Sequence, residues 1–525
     1  MKGNQRSLLL AVSFLALAIG SLLACSTAQP GGMAGLAMSR ESVLVSTSPQ
    51  PSMPPSVTGA VDAEPAVNTE QYDSIVENAF LSAADKPLST FSIDVDTASY
   101  TNIRRFLEAG ELPPADAVRI EEMINYFDYQ YPDPLAGQPF SVNTELGACP
   151  WNQDHYLLQI GLQGRRLDYS DIRPANLVLL IDTSGSMAAD NKLDLIKRGL
   201  ELLLGELSPN DTVAIVAYAG SAGLLLDATP ASERQRILAS LNRLNAGGST
   251  AGGQGIQLAY EVAMQNLIAD GNNRVILLTD GDFNVGVSST TELVDLIQEK
   301  RRSGVYLTIC GVGMGNYQDG RMEQISNAGN GNYFYIDSIE EATKVFVTDM
   351  RANLFTIAGD VKIQIDFNPA MVESYRLIGY ENRVLANEDF ANDARDAGEL
   401  GAGHTVTAIY EIAPAANAAN AVAGEPLLKV SLRYKLPGQE QSILEEHPVA
   451  FASNALRQTS DNFRFSAAVA AFGMLLRASD YIGSYGWAEV VSLASGAVGN
   501  DAHGYRQELV SLVRRAAGLS ATDTD

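Results

Sequence analysis

One apolar run that stops at an acidic residue constrains the fold of this chain more than any other feature. Residues 177–187 read Leu-Val-Leu-Leu-Ile-Asp-Thr-Ser-Gly-Ser-Met. A short, uninterrupted apolar segment of this kind is typical of a strand buried on both faces, as in a parallel sheet covered by helices. Such a strand delivers Asp182, Ser184 and Ser186 to the carboxyl edge of its sheet. The run therefore predicts an α/β domain with polar side chains collected at one edge.

These three polar side chains favour a hard cation. Alternate residues of an extended loop point the same way, so Asp182, Ser184 and Ser186 share one side. Magnesium takes oxygen ligands in a tight octahedron and keeps several waters, so hydroxyls and nearby carboxylates make a partial cage. Gly185 permits the sharp turn between the two serines. We expect Asp182 to lie in a solvent-facing crevice rather than in the core.

Two later segments end at the same predicted edge. Gly247 to Thr250 precede a helical pattern, and an apolar strand that begins at Arg274 ends at Asp280. Loops at the carboxyl ends of parallel strands converge on one crevice, so Thr250 and Asp280 can meet the first loop there. The alternative for the first segment taken alone is a helix cap, because Ser and Asp often follow a strand in that role.

Together these five positions resemble the metal-ion-dependent adhesion site of von Willebrand factor type A (VWA) domains. That family carries Asp-x-Ser-x-Ser, then a Thr, then an Asp, and the sequence matches every place. The resemblance implies that Ser184, Ser186 and Thr250 contact a divalent cation, with Mg²⁺ favoured and Mn²⁺ the alternative. It also implies that Asp182 and Asp280 act mostly through bridging waters, and that a carboxylate of a binding partner completes the shell.

The amino terminus predicts export and lipid attachment. Two basic residues precede an uncharged, largely apolar stretch, residues 8–24, which is typical of a secretory signal. The Leu-Leu-Ala-Cys segment that ends at Cys25 resembles a bacterial lipobox, which implies that residues 1–24 are removed and Cys25 is lipidated. Because Ser26 rather than Asp follows, we expect a lipid-anchored protein of the bacterial cell envelope, with the outer membrane favoured, that faces the periplasm or the exterior. The alternative is an ordinary signal peptide or an uncleaved anchor.

Composition excludes several classes of partner. The chain has 525 residues, 46% of them hydrophobic, which is enough for about three domains. A net charge of −26 argues against nucleic acid and against anionic lipid, since both would be repelled. We therefore expect membrane contact through the lipid anchor only. Three cysteines make no disulfide framework. Cys149 and Cys310 could pair only if the fold brought them together, and we expect Cys310 to be a free core thiol.

Domain boundaries follow changes in composition and periodicity. Residues 25–70, rich in Ser, Pro, Ala and Gly, predict a disordered tether. Apolar spacing over residues 71–140 predicts a mainly helical extension. Alternating strands and helices over residues 175–354 predict a doubly wound, mostly parallel sheet. Residues 355–455 alternate with period two, and we expect them to join residues 141–174 in one β-sandwich that holds the α/β domain as an insertion.

Both flanking regions resemble parts of a bacterial family of VWA-domain lipoproteins. Residues 71–140 are similar to its amino-terminal extension, and residues 355–525 are similar to its carboxy-terminal domain of unknown function. Within the latter, residues 456–525 carry apolar stripes typical of core helices rather than of a membrane surface. One segment of the extension echoes the metal pattern, but no matching Thr and Asp loops follow it. We therefore interpret this segment, residues 91–100, as a strand-turn-helix unit, with Asp96 and Thr97 as caps of its helix.

The sequence contains no common enzyme signature. The Gly-x-Ser-x-Gly elbow and the Gly-Lys-Ser/Thr phosphate loop are missing, and four histidines are scattered without metal-ligand spacing. We predict a non-enzymatic binding protein whose cation captures an acidic group of an envelope or extracellular protein, with no catalytic residue. The alternative is a metal-dependent hydrolase at the envelope, which would need a general base. Asp190 and Asp282 are the acids nearest the motif, although turn formation and capping suit them better.

Overall fold

The computed structural model describes residues 69–167, 173–248, 252–281, 290–416, 418 and 426–522. The predicted signal peptide, Cys25, residues 25–68 of the predicted tether, Thr250 and Asp282 all lie outside these ranges. Among the described residues, no helix combines the length and the apolar character needed to cross a bilayer.

The elements are numbered along the chain. The strands are β1 (Leu81–Ser82), β2 (Leu88–Ser92), β3 (Phe140–Ala148), β4 (Tyr156–Gly164), β5 (Ala175–Asp182), β6 (Thr212–Tyr218), β7 (Ala222–Pro230), β8 (Asn272–Thr279), β9 (Val305–Val312), β10 (Tyr333–Ile336), β11 (Thr356–Phe367), β12 (Val372–Ile378), β13 (Val384–Leu385), β14 (Gly398–Gly401), β15 (Thr405–Pro414), β16 (Pro426–Lys435), β17 (Ile443–Ala450) and β18 (Ser453–Asn454). The α-helices are α1 (Ala98–Ala109), α2 (Ile120–Asn125), α3 (Leu195–Glu206), α4 (Arg234–Leu241), α5 (Gly252–Gln265), α6 (Thr290–Arg301), α7 (Asp319–Ala328), α8 (Ile339–Thr343), α9 (Met350–Leu354), α10 (Asp461–Leu476), α11 (Trp487–Ser495) and α12 (Tyr505–Thr522).

A six-stranded sheet forms the centre of the α/β domain, in the order β10-β9-β8-β5-β6-β7. All of its pairings are parallel except that of β7 with β6. Successive residues of β5 point to opposite faces, so Leu180 joins the core beneath α5 whereas Ile181 joins the core beneath α3. Both β5 and β8 are buried along their whole length. The α/β class and the mostly parallel sheet predicted from the apolar runs are confirmed.

Two further sheets face each other as a sandwich. One has the order β1-β12-β15-β4-β3-β18 and the other β13-β2-β11-β16-β17, with β14 paired to β11. Strand β4, which precedes the α/β domain, pairs along its length with β15, which follows it, from Tyr156 opposite Ile412 to Gln163 opposite Thr405. The α/β domain is therefore an insertion in a discontinuous β-sandwich.

The amino-terminal extension is less helical than its sequence pattern indicates. Strand β2 pairs with β11 inside the sandwich, with Phe91 opposite Ile363, and only α1 and α2 are α-helical between residues 71 and 140. The physical reason is the alternation of Phe91 and Ile93, both completely buried in the sandwich core. Thr69 and Glu70, at the end of the predicted tether, also hydrogen bond to the α/β domain.

The interpretation of Asp96 and Thr97 as helix caps is wrong. Thr97 precedes α1 but makes no side-chain hydrogen bond to the helix. The Asp96 carboxylate instead accepts a hydrogen bond from the backbone N–H of Tyr333, at 2.7 Å. The acid thus ties the extension to strand β10 of the α/β domain.

Helix α10 packs on α2, α11 packs on α10, and α12 packs on α11 and α1. Gly473 of α10 allows a close approach, because a Cβ at that position would lie 2.7 Å from Cγ1 of Ile120. Phe463 and Phe465 fill the same core. Cys149 and Cys310 are both buried free thiols, so the expectation of a core thiol at Cys310 is confirmed.

Candidate metal centre

Backbone hydrogen bonds hold two of the predicted loops together. After β5 ends, the N–H of Thr183 donates to the carbonyl of Tyr218 at the end of β6, at 2.9 Å. The N–H of Gly185 donates to the carbonyl of Gly248 at 3.0 Å, and the N–H of Gly247 donates to the carbonyl of Thr183 at 2.8 Å. The loop that carries the serines therefore lies against the loop that leads towards Thr250, which itself is outside the described residues.

The two serine hydroxyls are spaced as ligands of one ion would be. The hydroxyls of Ser184 and Ser186 hydrogen bond to each other, with their Oγ atoms 2.9 Å apart. Two neighbouring ligands in an octahedral Mg²⁺ shell, each about 2.1 Å from the ion, are about 3 Å apart. Ser184 is buried and Ser186 is exposed, so the pair lies at the boundary between the domain interior and solvent. The residues present thus fit a small divalent cation.

Asp182 lies beneath the hydroxyls and is fully buried. Its Oδ1 accepts from the N–H of Ser184 at 2.8 Å, and its Oδ2 accepts from the hydroxyls of Tyr218 and Thr279 at 3.2 and 3.1 Å. Burial raises the pKa of Asp182 to about 6, and the charge of Asp280 adds to the rise, while hydrogen bonds to Ser184 oppose it. The expectation of a solvent-facing Asp182 is wrong, because β5 ends level with its neighbours β6 and β8, and their last residues, Tyr218 and Thr279, donate their hydroxyls to the carboxylate.

Asp280 follows β8 and is also completely buried. Its Oδ2 accepts from the Nζ of Lys192 at 2.9 Å, and the same Nζ lies 3.4 Å from Oδ1 of Asn316. Lys192 is 7% exposed, so this ion pair is shielded from solvent. The metal motif in the sequence does not indicate a role for Lys192. The one sequence feature that could have indicated it is a basic residue between the serine motif and the apolar face of α3.

Formal charges at this centre favour a cation. Asp182 and Asp280 contribute two negative charges, and the Lys192 ammonium contributes one positive charge. The hydroxyls of Ser184 and Ser186 stand above that residual negative charge, with acceptor lone pairs that a hard cation can use. The arrangement therefore offers oxygen atoms of the kind that suit a small divalent ion, and Ser186 lies on its solvent-exposed side.

A second acid-rich group lies where the extension meets the α/β domain, and we name it the carboxylate cluster. Its oxygen atoms, one from each side chain, lie within 4.8 Å of one another, and its members are Asp94, Asp96, Glu122 and Glu323. Arg383 donates to Asp94 at 3.0 Å and to Asp96 at 3.1 Å, and Arg119 donates to Glu122. All four acids are buried. Burial raises the pKa values of Asp96, Glu122 and Glu323, and the guanidinium groups oppose that rise.

Fold and site together define a protein built around a VWA domain. The VWA domain family matches residues 176–348, a family described as von Willebrand factor matches residues 66–159, and a family described as the C-terminal part of YfbK matches residues 352–519. The chain is 42% identical over 473 residues to the uncharacterized protein YfbK of Escherichia coli K12, which covers 86% of this chain and 82% of that protein. The chain therefore belongs to the YfbK family of bacterial VWA-domain proteins.

More distant relatives share smaller parts. The uncharacterized protein sll0103 of Synechocystis is 27% identical over 206 residues, which cover 39% of this chain and 47% of that protein. A solved von Willebrand factor type A structure from Catenulispora acidiphila is 15% identical, with a TM-score of 0.44, and covers 74% of this chain and 91% of that one. VWA domains typically serve as non-enzymatic modules for protein–protein interaction, which is the general role that the family assignment supports.

Proposed function

We propose that this protein is a membrane-anchored binding protein of the bacterial cell envelope that captures an acidic group of a protein partner through a divalent cation. Mg²⁺ is the favoured ion and Mn²⁺ a substitute. Ser184, Ser186 and Thr250 would hold the ion, while Asp182 and Asp280 would act through bridging waters. The bound cation would supply an open coordination position for a carboxylate.

The spacing of the two serine hydroxyls carries this proposal. A separation of 2.9 Å between the Oγ atoms suits two adjacent ligands of one small ion. The fully buried Asp182 beneath them accepts a hydrogen bond from the N–H of Ser184 and so fixes the loop. The two hydroxyls are therefore held in position before an ion binds. A binding role also agrees with the general use of VWA domains.

Cation titration of the purified full-length protein tests the proposal. Calorimetry with MnCl₂ and MgCl₂ is compared between the wild type and Ser186→Ala, because Ser186 is exposed and its loss leaves the core intact. Ser221→Ala is the matched control, since it removes another exposed hydroxyl from a turn of the same domain. We expect Ser186→Ala to weaken Mn²⁺ binding by about tenfold or more and Ser221→Ala to leave it unchanged. Equal Mn²⁺ affinity in all three proteins would contradict the cation site.

A partner carboxylate is tested with a glutamate-rich peptide. We expect the peptide to bind in the presence of Mn²⁺, to be released by a chelator, and to be recovered unchanged. Turnover of phosphoester or ester probes that requires Mn²⁺ and disappears in Ser186→Ala would instead establish the metal-dependent hydrolase.

The anchor has a separate test. In cells, Cys25→Ser should lose incorporation of labelled fatty acid and leave the outer-membrane fraction, whereas Cys149→Ser should retain both properties. Membrane retention of Cys25→Ser with no labelled lipid in the wild type would contradict the lipid anchor.

A further inference from the structure

A short amino-terminal segment, residues 69–72, is bound to the edge of the α/β domain, and we call it the strap. The N–H of Thr69 donates to the carbonyl of Gly315 at 2.8 Å, and the Thr69 hydroxyl donates to the same carbonyl at 2.9 Å. The N–H of Gln71 donates to the carbonyl of Tyr317 at 3.0 Å. The strap thus pairs with the loop between β9 and α7, residues 313–318, almost as an added strand would.

Glu70 is the central residue of the strap. Its Oε1 accepts from the N–H of Gly315 at 2.8 Å, and Arg105 of α1 donates to both carboxylate oxygens, at 2.8 and 2.9 Å. The Glu70 side chain is 4% exposed. Burial opposes its ionisation, but the hydrogen bonds from Arg105 and Gly315 outweigh burial and lower its pKa. A bidentate, charge-assisted pair of this kind fixes the position of the Glu70 side chain and also stabilises its contact with α1.

On its other side, the same loop encloses Lys192. The hydroxyl of Tyr335 donates to the carbonyl of Gly313 at 2.6 Å. Gly313 lies so close to the lysine stem that a Cβ there would be 2.1 Å from Cε of Lys192. Asn316, two residues before the end of the loop, faces the Lys192 ammonium. The loop therefore lines both the stem and the head of the side chain that binds Asp280.

We propose that the strap restrains the metal centre: it holds the 313–318 loop against Lys192, keeps the ammonium on Asp280, and so lowers the affinity for the divalent cation. The inference rests on the proposed function, since it concerns the same cation. An ammonium and a divalent ion compete for the negative charge of Asp280, and two positive charges in a water-poor crevice repel each other. Detachment of the strap loosens the loop, lets Lys192 leave Asp280, and raises cation affinity.

A double-mutant cycle tests this chain of contacts in the full-length protein. Mn²⁺ affinity is measured by calorimetry for the wild type, Glu70→Ala, Lys192→Met and the double variant. We expect Lys192→Met to raise affinity by about tenfold or more, Glu70→Ala to raise it about threefold to tenfold, and the double variant to match Lys192→Met within about twofold. The inference would be overturned if Glu70→Ala left Mn²⁺ affinity unchanged or lowered it. It would also be overturned if Glu70→Ala raised the affinity equally in the wild type and in Lys192→Met.

Two controls separate restraint from misfolding. Hydrogen exchange at the Gly315 amide should accelerate in Glu70→Ala and stay near the wild-type rate in Glu70→Gln, which keeps an acceptor for that N–H. Asp133→Ala, which removes an exposed carboxylate paired with Arg166, should change neither exchange at Gly315 nor Mn²⁺ affinity. Rapid exchange throughout β9 in both Glu70 variants would mean that Glu70 serves only stability, which overturns the restraint.

The outcomes also distinguish the two proposals. If the wild type binds Mn²⁺ and Glu70→Ala binds it equally, the restraint fails and the cation site stands. If neither the wild type nor Lys192→Met gives Mn²⁺ heat, the cation site fails and the restraint fails with it.

Discussion

The metal centre and the carboxylate cluster are both rich in buried acids, yet their surroundings differ. At the metal centre, Asp182 is held by hydroxyls and a backbone N–H, and Asp280 accepts from one lysine. In the carboxylate cluster, Arg383 and Arg119 reach the acids with guanidinium groups that offer several donors each. Acid spacing along the chain therefore does not identify a cation site. The difference is that guanidinium groups already donate to the acid oxygens of the carboxylate cluster, whereas the metal centre presents two serine hydroxyls at the boundary with solvent.

Solvent access separates the two regions as well. Ser186 is exposed at the metal centre, whereas Asp96 and Glu122 in the carboxylate cluster are 1% and 0% exposed. An ion and a partner carboxylate can approach the first region from outside. The second region lies between the extension, α7 and the segment that contains Arg383, so its charges serve to join those parts of the fold.

Removal of Arg383 should lower the free energy of unfolding the most. Arg383→Met leaves Asp94 and Asp96 buried without their guanidinium partner, and loss of one side of a buried ion pair costs about 3–5 kcal/mol. Arg395→Met is the control, because Arg395 is 55% exposed and pairs loosely with Asp389. We expect urea unfolding to shift strongly in the first variant and little in the second. Equal small shifts would show that the carboxylate cluster does not join the extension to the α/β domain.

A pH effect should follow from Glu121, beside the carboxylate cluster. Burial, together with the charges of Glu381 and Asp94, raises the pKa of Glu121 from 4.5 to about 7. The folded protein therefore holds this proton more tightly than the unfolded chain does, so the contribution to stability is complete below pH 4.5 and is lost as pH rises through 7. The loss is on the order of 3 kcal/mol.

Glu121→Gln should remove that pH dependence. Urea unfolding between pH 4.5 and 7 should then be flatter in Glu121→Gln than in the wild type. Glu111→Gln, the same change at an exposed position, should keep the wild-type slope. A wild-type stability that rises over this interval because of Glu121 would contradict the assigned direction.

Substitutions at the metal centre should have smaller effects on folding. Asp182→Ala leaves three donors without their acceptor, which costs about 2 kcal/mol. Ser186→Ala, at an exposed position, should cost no more than about 0.5 kcal/mol. Urea unfolding in a chelator measures both changes in the absence of an ion. An Asp182→Ala protein as stable as Ser186→Ala would show that the buried carboxylate does not support the loop.

Much of the fold could be predicted because apolar periodicity reports burial directly. The uninterrupted apolar run of β5 predicts a strand of a parallel sheet, and the alternating pattern of β11 predicts a strand of an antiparallel sheet. The sequence also predicts a strand before α1, but it does not indicate that this strand, β2, pairs with β11, which lies far along the chain. Local pattern alone cannot supply a pairing that only tertiary structure creates.

The candidate site was predicted in outline and missed in its interior. The motif places Asp182, Ser184, Ser186 and Asp280 at strand ends, where the sheet collects them. It carries no information about Lys192 or Glu70, because Lys192 contacts Asp280, 88 positions away, and Glu70 contacts Gly315, 245 positions away. The burial of Asp182 was mistaken for the same reason, since the hydroxyls that enclose it belong to β6 and β8.

The insertion of the α/β domain into the sandwich has a consequence for how the chain folds. Trp151, beside β4, donates to Glu411, 260 positions further along the chain. During synthesis, β4 therefore exists for a long interval before its partner β15 emerges, with only the β3 hairpin to cover one edge. Closure of so large a loop is slow, and an unpaired apolar edge favours aggregation. Early folding of the inserted domain brings Ala175 and Leu354 together and shortens the loop that the sandwich must close.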